Sequence, residues 1–269
     1  MAQKTPDILK KIVSRKHEEI DEGIKRVPLE RMIELASNAD QTRGFYNALQ
    51  SKVKQNQSGI IAEIKKASPS AGEIIKEYAP ENIAYQYEKS GAGAISILTE
   101  SNYFKGDIDH ITLIQNKTNL PILRKDFIID QKQISETIHY NGDAFLLIAD
   151  ALDQDSLQQL MNIGKMAGLE FLVEYHAEKH AEFIFALNPE IVGINCRNLK
   201  TMTTDLSYFE KMISSLPSSS IKVAESGIHT SSDLNYVSSL GYDAALIGTS
   251  LMKTGNPGKA LETFLGGIS

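Results

Sequence analysis

The stretch IIAEIKKASPS, residues 60–70, begins with aliphatic residues and ends in charged residues followed by turn formers. The same form, an aliphatic start and a polar or glycine end, recurs in ISILTE (95–100), PILRKDF (121–127), FLLIAD (145–150), EFLVEYH (170–176), IVGINCRN (191–198), IKVAESG (221–227) and AALIGTS (244–250). Eight such runs match the strands of a (β/α)8 barrel, whose C-terminal strand ends meet at one rim. We therefore expect their polar ends to form one pocket.

Segments with helical periodicity lie between these runs. Apolar residues recur at i, i+3 and i+4, as in Leu157, Leu160 and Met161. The segments cover residues 81–91, 109–118, 133–142, 156–168, 178–188, 206–216, 232–241 and 257–267, and several end in a glycine or asparagine typical of a helix C-cap. This alternation predicts successive βα units, a parallel sheet and an α/β fold of the TIM-barrel type.

Residues 1–58 lie outside the alternation and are predicted to form an N-terminal helical extension of a single domain, residues 1–269. Helices are expected at 8–24, at PLERMIELAS (28–37), where Pro28 suits a first turn, and at RGFYNALQSKV (43–53). The sequence leaves open whether the extension covers the N-terminal mouth of the barrel or reaches over its active rim.

The composition argues against several classes of protein. A net charge of −6 argues against a general nucleic-acid binder, and no apolar run is long enough to span a membrane. The N-terminus lacks the uninterrupted apolar core of a signal peptide. Cys196 is the only cysteine, which suits a reducing compartment. We expect a cytoplasmic protein that binds neither nucleic acid nor membrane.

The first and third runs contain charged residues that share a strand face. Glu63 and Lys65 point the same way and could meet a substrate at the rim, although a salt bridge that ties down a strand end is an equal alternative. Lys125 and Phe127 also share a face, which suggests a cation beside an aromatic wall. Lys125 would be a credible proton donor if a nearby Lys65 favoured its neutral form, whereas most lysines are simply solvated.

The later runs add an acid, a recognition pair and a phosphate site. Glu174 is a possible acid–base partner of the lysines, and Asn195 with Arg197 is suited to binding a carboxylate unless the two only support the rim. Phosphate sites in these barrels often use the loops after strands seven and eight. The candidates there are Ser226, Gly227, Gly248 and Thr249, although ordinary turns also use such residues.

Three other features are not expected to act in the chemistry. His176 and His180 have metal-ligand spacing but no evident third ligand. Cys196 is expected to point toward the helices rather than act as a nucleophile. Asp107 and Asp109 lack the rest of a calcium loop. We expect neither a metal nor a cofactor.

Taken together, EIKKASPSAG, LRKDF, LVEYH, GINCRNL, VAESGI and LIGTSLM resemble the successive signatures of the indole-3-glycerol phosphate synthase family. The resemblance runs in order from PLERM and RGFYNAL to the final strand, and so covers nearly the whole chain. It implies closure and decarboxylation of 1-(2-carboxyphenylamino)-1-deoxyribulose 5-phosphate to indole-3-glycerol phosphate in tryptophan biosynthesis. The substrate is thus a phosphorylated small molecule. We expect a monomer, and association with other enzymes of the pathway stays open.

The resemblance also implies roles by position. Lys125 resembles the general acid of ring closure, Glu174 its acid–base partner, and Glu63 with Lys65 the pair on the first strand. Asn195 and Glu225 match substrate-orienting groups, and Arg197 matches a residue near the anthranilate carboxylate. Ser68 lies in the loop SPSAG, a possible lid. Ser226, Gly227, Gly248 and Thr249 match the phosphate site.

The sequence departs from the family pattern at two positions, and there are two alternative kinds of function. Cys196 replaces a usual asparagine, and Asp107 replaces a usual serine. A phosphosugar barrel isomerase, or an aldolase with Lys125 as Schiff-base nucleophile, would share the phosphate loops. A catalytically silent docking barrel is disfavoured because unpaired inward charges cost stability.

Overall fold

Eight parallel strands close into a barrel in the computed structural model, which describes residues 8–23, 34, 42–198 and 201–266. The strands are β1 (Gly59–Ile64), β2 (Ala94–Leu98), β3 (Ile122–Lys125), β4 (Ala144–Ile148), β5 (Glu170–Tyr175), β6 (Ile191–Asn195), β7 (Ile221–Glu225) and β8 (Ala244–Ile247). Each strand pairs with its neighbours in sequence, and β8 pairs with β1. The predicted TIM barrel is confirmed.

The alternation of side chains along each strand separates two apolar layers. One face points into the barrel and forms a cluster that includes Ile61, Leu123, Leu146 and Leu172. The other face packs against the surrounding helices in a second, larger cluster. The polar site residues continue the interior rows: Glu63 lies two positions beyond Ile61, Lys125 beyond Leu123, Glu174 beyond Leu172, and Glu225 beyond Val223.

The outer layer consists of the helices that the periodicity predicted. Their bounds are Pro80–Lys89, Asp109–Gln115, Gln131–His139, Gln154–Met166, Ala181–Leu187, Ser207–Met212, Ser231–Ser239 and Pro257–Gly266. Short 3-10 helices occur at Ala149–Ala151, Glu178–His180 and Ile213–Ser215. Capping boxes at Asp130 and Thr230 satisfy backbone N–H groups where two of the long helices begin.

Two predicted strand runs end earlier than their sequence suggests. In the first, β1 stops at Ile64, and Ala67–Ser68 pairs with Gly72–Glu73 in a small antiparallel hairpin. In the last, β8 stops at Ile247, and Thr249–Met252 is helical. Both runs leave the barrel close to where their turn-forming residues begin.

The N-terminal extension contacts both ends of the barrel. Helix Phe45–Lys54 closes the N-terminal mouth, where its buried Phe45 and Leu49 join the interior cluster. Helix Ile8–Glu22 lies at the opposite rim, and the buried Lys16 Nζ is 3.1 Å from Asp126 Oδ1 there. The predicted helix 28–37 lies outside the described residues apart from Glu34, which is helical. Within the described parts of the chain, no helix is long and apolar enough to cross a membrane.

Candidate active site

One cavity at the C-terminal strand ends contains every residue predicted for the site. Its lining includes Glu63, Lys65, Ser68, Lys125, Phe127, Glu174, Asn195, Arg197, Glu225, Ser226, Gly227, Gly248 and Thr249. The barrel brings these residues together because their strands all point the same way and end at one rim.

The ammonium of Lys125 lies between two carboxyl groups. Its Nζ is 3.0 Å from Glu174 Oε2 and 3.1 Å from Glu225 Oε2. Burial would lower the pKa of Lys125, but the carboxylates of Glu174, Glu225 and Glu63 outweigh burial and raise that pKa well above the ordinary lysine value. Lys125 therefore favours its protonated, cationic form.

The expectation that Lys65 favours the neutral form of Lys125 is wrong for this geometry. Lys65 forms an ion pair with Glu63, the residue whose face it shares. A cation that is paired with its own carboxylate has little net charge to repel a second cation. Lys125 instead responds to the carboxyl groups that surround it.

Glu174 and Glu225 are both buried, yet their pKa values move in opposite directions. Burial would raise the pKa of Glu174, but Lys125 and hydrogen bonds to Glu225 and Asn195 lower it below the ordinary value. Burial and the neighbouring Glu174 raise the pKa of Glu225 well above its ordinary value. When two carboxyl groups interact directly, ionisation of one makes ionisation of the other more costly. Glu225 is therefore the member of the pair that more readily holds a proton, and Glu174 is the more readily ionised partner of Lys125.

The side-chain amide of Asn195 is engaged within the protein at both ends. Its Nδ2 donates to Glu174 Oε1 at 2.9 Å, and its Oδ1 accepts from the backbone N–H of Arg197 at 3.0 Å. Arg197 donates from Nη1 to the Met202 carbonyl oxygen at 3.3 Å, and its guanidinium carries further N–H groups that could donate to a ligand. Asn195 thus orients Glu174, and Arg197 is the better candidate for carboxylate recognition.

Gly248 lies directly against the carboxylate of Glu63. A Cβ added at Gly248 would be 2.2 Å from Glu63 Oε1 and 2.9 Å from its Cδ. Both distances are shorter than van der Waals contact. The absence of a side chain at Gly248 therefore makes room for Glu63.

The turn after β7 has positive φ at two successive residues, Ser226 (69°) and Gly227 (72°). This backbone is uncommon for a residue such as Ser226. The buried thiol of Cys196 lies beneath the turn, with Sγ 3.4 Å from the Ser226 carbonyl oxygen. Burial raises the pKa of Cys196 to about 11. Cys196 belongs to the cluster between the barrel and the helices, which confirms that it points outward from the barrel.

The walls of the cavity include apolar residues that the sequence reasoning missed. They are Ile8, Leu9, Ile12, Leu98, Phe104, Leu146, Ile148, Met202, Ile228, Leu246 and Ile247. The Phe104 ring lies 6.3 Å from the Phe127 ring, centroid to centroid. The loop SPSAG, proposed as a lid, forms the hairpin and lines the cavity through Ser68, Pro69 and Ser70. The helical periodicity around Ile8 and Ile12 was visible, but periodicity does not reveal where a helix docks.

A buried ionic network holds helix Ile8–Glu22 at this rim. Asp126 accepts from Lys16 at 3.1 Å, from Arg124 Nη2 at 3.2 Å and from Thr99 Oγ1 at 2.7 Å. Burial alone would raise the pKa of Asp126, but Arg124 and Lys16 lower it. Because Asp126 follows Lys125 directly, the network links the position of the helix to the centre of the cavity.

The residues that were not expected to act in the chemistry make contacts of other kinds. His176 places Nδ1 2.8 Å from the Asn195 carbonyl oxygen and stacks on Tyr208. His180 Nε2 lies 3.7 Å from Asp150 Oδ1. The Asp107 carboxylate accepts from the Asp109 backbone N–H at 3.0 Å, next to the start of a helix. A serine could accept the same bond, so this departure leaves the local structure intact.

Comparison with known proteins adds sequence evidence to this geometry. The sequence model of the family described as indole-3-glycerol phosphate synthase matches residues 9–264. An indole-3-glycerol phosphate synthase of Campylobacter jejuni subsp. doylei is 41% identical over 259 residues, which is 96% of this chain and 100% of the relative. A protein of the same name from Halalkalibacterium halodurans is 39% identical over 262 residues, 97% of each chain.

Among solved structures, the fold is similar to tryptophan synthase subunit alpha from Legionella pneumophila str. Paris. The TM-score is 0.60, with 12% identity, over 85% of this chain and 99% of that chain. At such low identity the likeness concerns the barrel fold alone.

Proposed function

Because the chain belongs to the indole-3-glycerol phosphate synthase family and catalyses that family's reaction, we propose that the charged residues of the cavity perform its chemistry. The enzyme is a carboxy-lyase of tryptophan biosynthesis. It closes the ring of 1-(2-carboxyphenylamino)-1-deoxyribulose 5-phosphate, with loss of carbon dioxide and water. The observation that supports the assignment of roles is the buried contact of Lys125 with Glu174 and Glu225.

Lys125 is proposed as the general acid. Ring closure attacks the ribulose carbonyl carbon, so the carbonyl oxygen gains negative charge and needs a proton. Lys125 favours its protonated form and lines the cavity, and its side chain is 16% exposed. A buried cation also stabilises the developing oxyanion before the proton moves, because water screens the charge poorly there.

Glu174 and Glu225 are proposed to divide the remaining proton transfers. Glu174 is ionised and can accept a proton while Asn195 fixes its orientation. Glu225, whose pKa is raised, is the proton donor, and Glu174 can pass the proton that it has accepted to Glu225 to restore the starting state. Loss of water requires both an acceptor and a donor, and a pair whose pKa values are pushed apart supplies both.

Lys65, Arg197 and Glu63 are proposed to handle the carboxylate that departs as carbon dioxide. Lys65 and Arg197 are cations on the cavity wall, and Glu63 keeps Lys65 at the rim through their ion pair. The apolar wall around Phe104 and Phe127 suits the anthranilate ring.

The phosphate is proposed to bind at the loops after β7 and β8. Ser226, Gly227, Gly248 and Thr249 line the cavity on that side, and Ser68 lines it from the hairpin. Backbone N–H groups of such turns bind anions without a cationic side chain.

The decisive experiment is incubation of the purified protein with the carboxyphenylamino-deoxyribulose phosphate while indole fluorescence is followed. Appearance of the fluorescent product at a rate proportional to protein concentration is expected. Borohydride trapping with the same substrate addresses the aldolase alternative. A covalent adduct at Lys125 would show that Lys125 acts as a nucleophile rather than as an acid.

Replacing Arg197 by alanine should mainly raise KM, by about 10-fold to 100-fold, because a charge-assisted hydrogen bond to the bound carboxylate is lost. High salt should weaken the wild-type interaction in the same direction. Arg15→Ala is the matched control, since Arg15 is a surface residue paired with Glu18. Steady-state kinetics measures both variants, and a fall in kcat at constant KM for Arg197→Ala would contradict the assignment.

Replacing Lys16 by methionine should loosen helix Ile8–Glu22 and raise KM by about 5-fold or more, because a buried charge-assisted contact with Asp126 is lost. Asp126 keeps Arg124 and Thr99 as partners, so the barrel should stay folded. Lys10→Met, at an exposed position on the same helix, is the control. Equal kinetics for the two variants would show that the helix is held at the rim by other contacts.

We further infer a cytoplasmic, monomeric enzyme. The single, buried cysteine supports a reducing compartment. Size-exclusion chromatography with light scattering tests the monomer, and the same measurement with other enzymes of the pathway tests for association.

A further inference from the structure

Gly193 occupies a position on β6 where any side chain would collide with Glu225. A Cβ built on Gly193 would lie 2.2 Å from Glu225 Oε1 and 3.3 Å from Glu225 Cδ. It would also lie 3.4 Å from Leu172 Cδ1, an ordinary contact. The space is therefore filled by the Glu225 carboxyl group in particular.

The barrel register explains why Glu225 turns toward this position. Gly193 is level with Glu174 on β5, while Glu225 on β7 is level with Asn195. To reach Lys125 beside Glu174, the Glu225 side chain must extend back across β6. Its Oε2 then contacts Lys125 at 3.1 Å, and its buried Oε1 rests over Gly193 without a hydrogen-bond partner among the described residues.

A second glycine repeats the arrangement on the other side of the barrel, where a Cβ at Gly248 would lie 2.2 Å from Glu63 Oε1. Glycines near the barrel floor differ from these two. A Cβ at Gly59 would meet apolar atoms of Leu49 and Ala244, and one at Gly93 would have only ordinary contacts, the nearest at 3.5 Å. Among the described glycines, close approach to a carboxylate oxygen thus occurs at Gly193 and Gly248, beside Glu225 and Glu63 of the proposed site.

We propose that Gly193 is a positioning residue for the proposed reaction, one whose missing side chain lets Glu225 reach Lys125 and Glu174. Glu225 Oε1 rests against the backbone of Gly193, where it has no hydrogen-bond partner among the described residues. A side chain at 193 would push the carboxyl group toward the cavity. Its spacing from Lys125 and its tendency to hold a proton would then both change.

The test is Gly193→Ala, with kcat and KM measured on the carboxyphenylamino-deoxyribulose phosphate. The variant should fold, because alanine suits a strand and the colliding atom is at the end of a flexible side chain. We expect kcat to fall about 10-fold to 100-fold with little change in KM, since a misplacement of about 1 Å can cost about 100-fold in rate. Gly93→Ala, buried just before β2, is the matched control and should retain wild-type kinetics.

Shortening the side chain of Glu225 distinguishes a positioning role of Gly193 from a general effect on packing. Glu225→Asp should lower kcat in the wild-type background, because the carboxyl group no longer reaches Lys125. In the Gly193→Ala background the same change relieves the collision, so the double variant should lose less than the product of the two single losses. Multiplicative losses, or wild-type kcat for Gly193→Ala, would overturn the inference.

Two further outcomes are also decisive. If Gly193→Ala does not fold, recovery of folding in Gly193→Ala/Glu225→Asp supports the collision, and failure of both variants overturns it. The inference rests on the proposed function, so wild-type protein is assayed in parallel. Inactive wild-type protein would remove both proposals, whereas equal activity of wild type and Gly193→Ala would remove only the role of Gly193.

Discussion

Lys125→Met is expected to lower kcat by roughly 10²–10⁴-fold, the usual contribution of general acid–base catalysis, while ligand affinity changes much less. Methionine approximates the length of the lysine stem but supplies neither a proton nor a charge. Steady-state kinetics by indole fluorescence measures the loss, and calorimetry with the product measures affinity. Near-normal turnover of a folded Lys125→Met protein would exclude Lys125 as the acid.

Lys125→Met is also expected to change how the free energy of unfolding depends on pH. Lys125 helps to keep the folded-state pKa of Glu174 below its ordinary value. The resulting stabilisation is present above the unfolded-state pKa of about 4.3 and is lost as pH falls through the folded-state value. Lys125→Met should therefore have a lower free energy of unfolding than wild type at neutral pH, and the difference should shrink in acid. Denaturant titrations at pH 7 and pH 3 measure it, and a difference that grows in acid would contradict the pairing.

Glu174→Gln is expected to lower kcat by about 10²–10⁴-fold with a small change in KM, because proton exchange is lost mainly in the transition state. The replacement does not preserve every hydrogen bond. Glu174 accepts from both Lys125 and Asn195, whereas an amide can accept at only one of these positions. A thermal melt should accompany the kinetics to measure this structural cost. A change confined to KM would mean that Glu174 binds substrate and transfers no proton.

Glu225→Gln is the matched control for the loss of charge in Glu174→Gln. Glu225 is the member of the pair whose pKa is raised, so an amide there changes the charge of the cluster less than an amide at Glu174. Its oxygen can still accept from Lys125, and its NH2 group can occupy the position of Oε1 over Gly193. We expect a smaller fall in kcat than for Glu174→Gln. The reverse order would show that the protonated and ionised members have been assigned the wrong way round.

Much of the fold followed from local sequence. Strands such as ISILTE and helices such as SLQQLMNIGKMAG are visible because their apolar periods differ, and eight repeats of the pair leave few closed arrangements. The two-residue period also predicted which polar residues face inward. Glu63 and Lys65 therefore share the cavity with Lys125 and Glu174, as the sequence alone suggested.

Contacts between distant segments were decided only by the tertiary structure. The sequence suggested Lys65 as the neighbour that tunes Lys125, but barrel closure places Glu174 and Glu225 there and so raises the lysine pKa instead of lowering it. Helix Ile8–Glu22 is amphipathic in sequence, but only the contact between Lys16 and Asp126 in the folded structure shows that the helix docks at the active rim. The sequence around Gly193 does not indicate that the Glu225 carboxyl group lies against this residue. Periodicity determines which way a side chain points, whereas its charge state and partners depend on distances across the barrel, which no local pattern encodes.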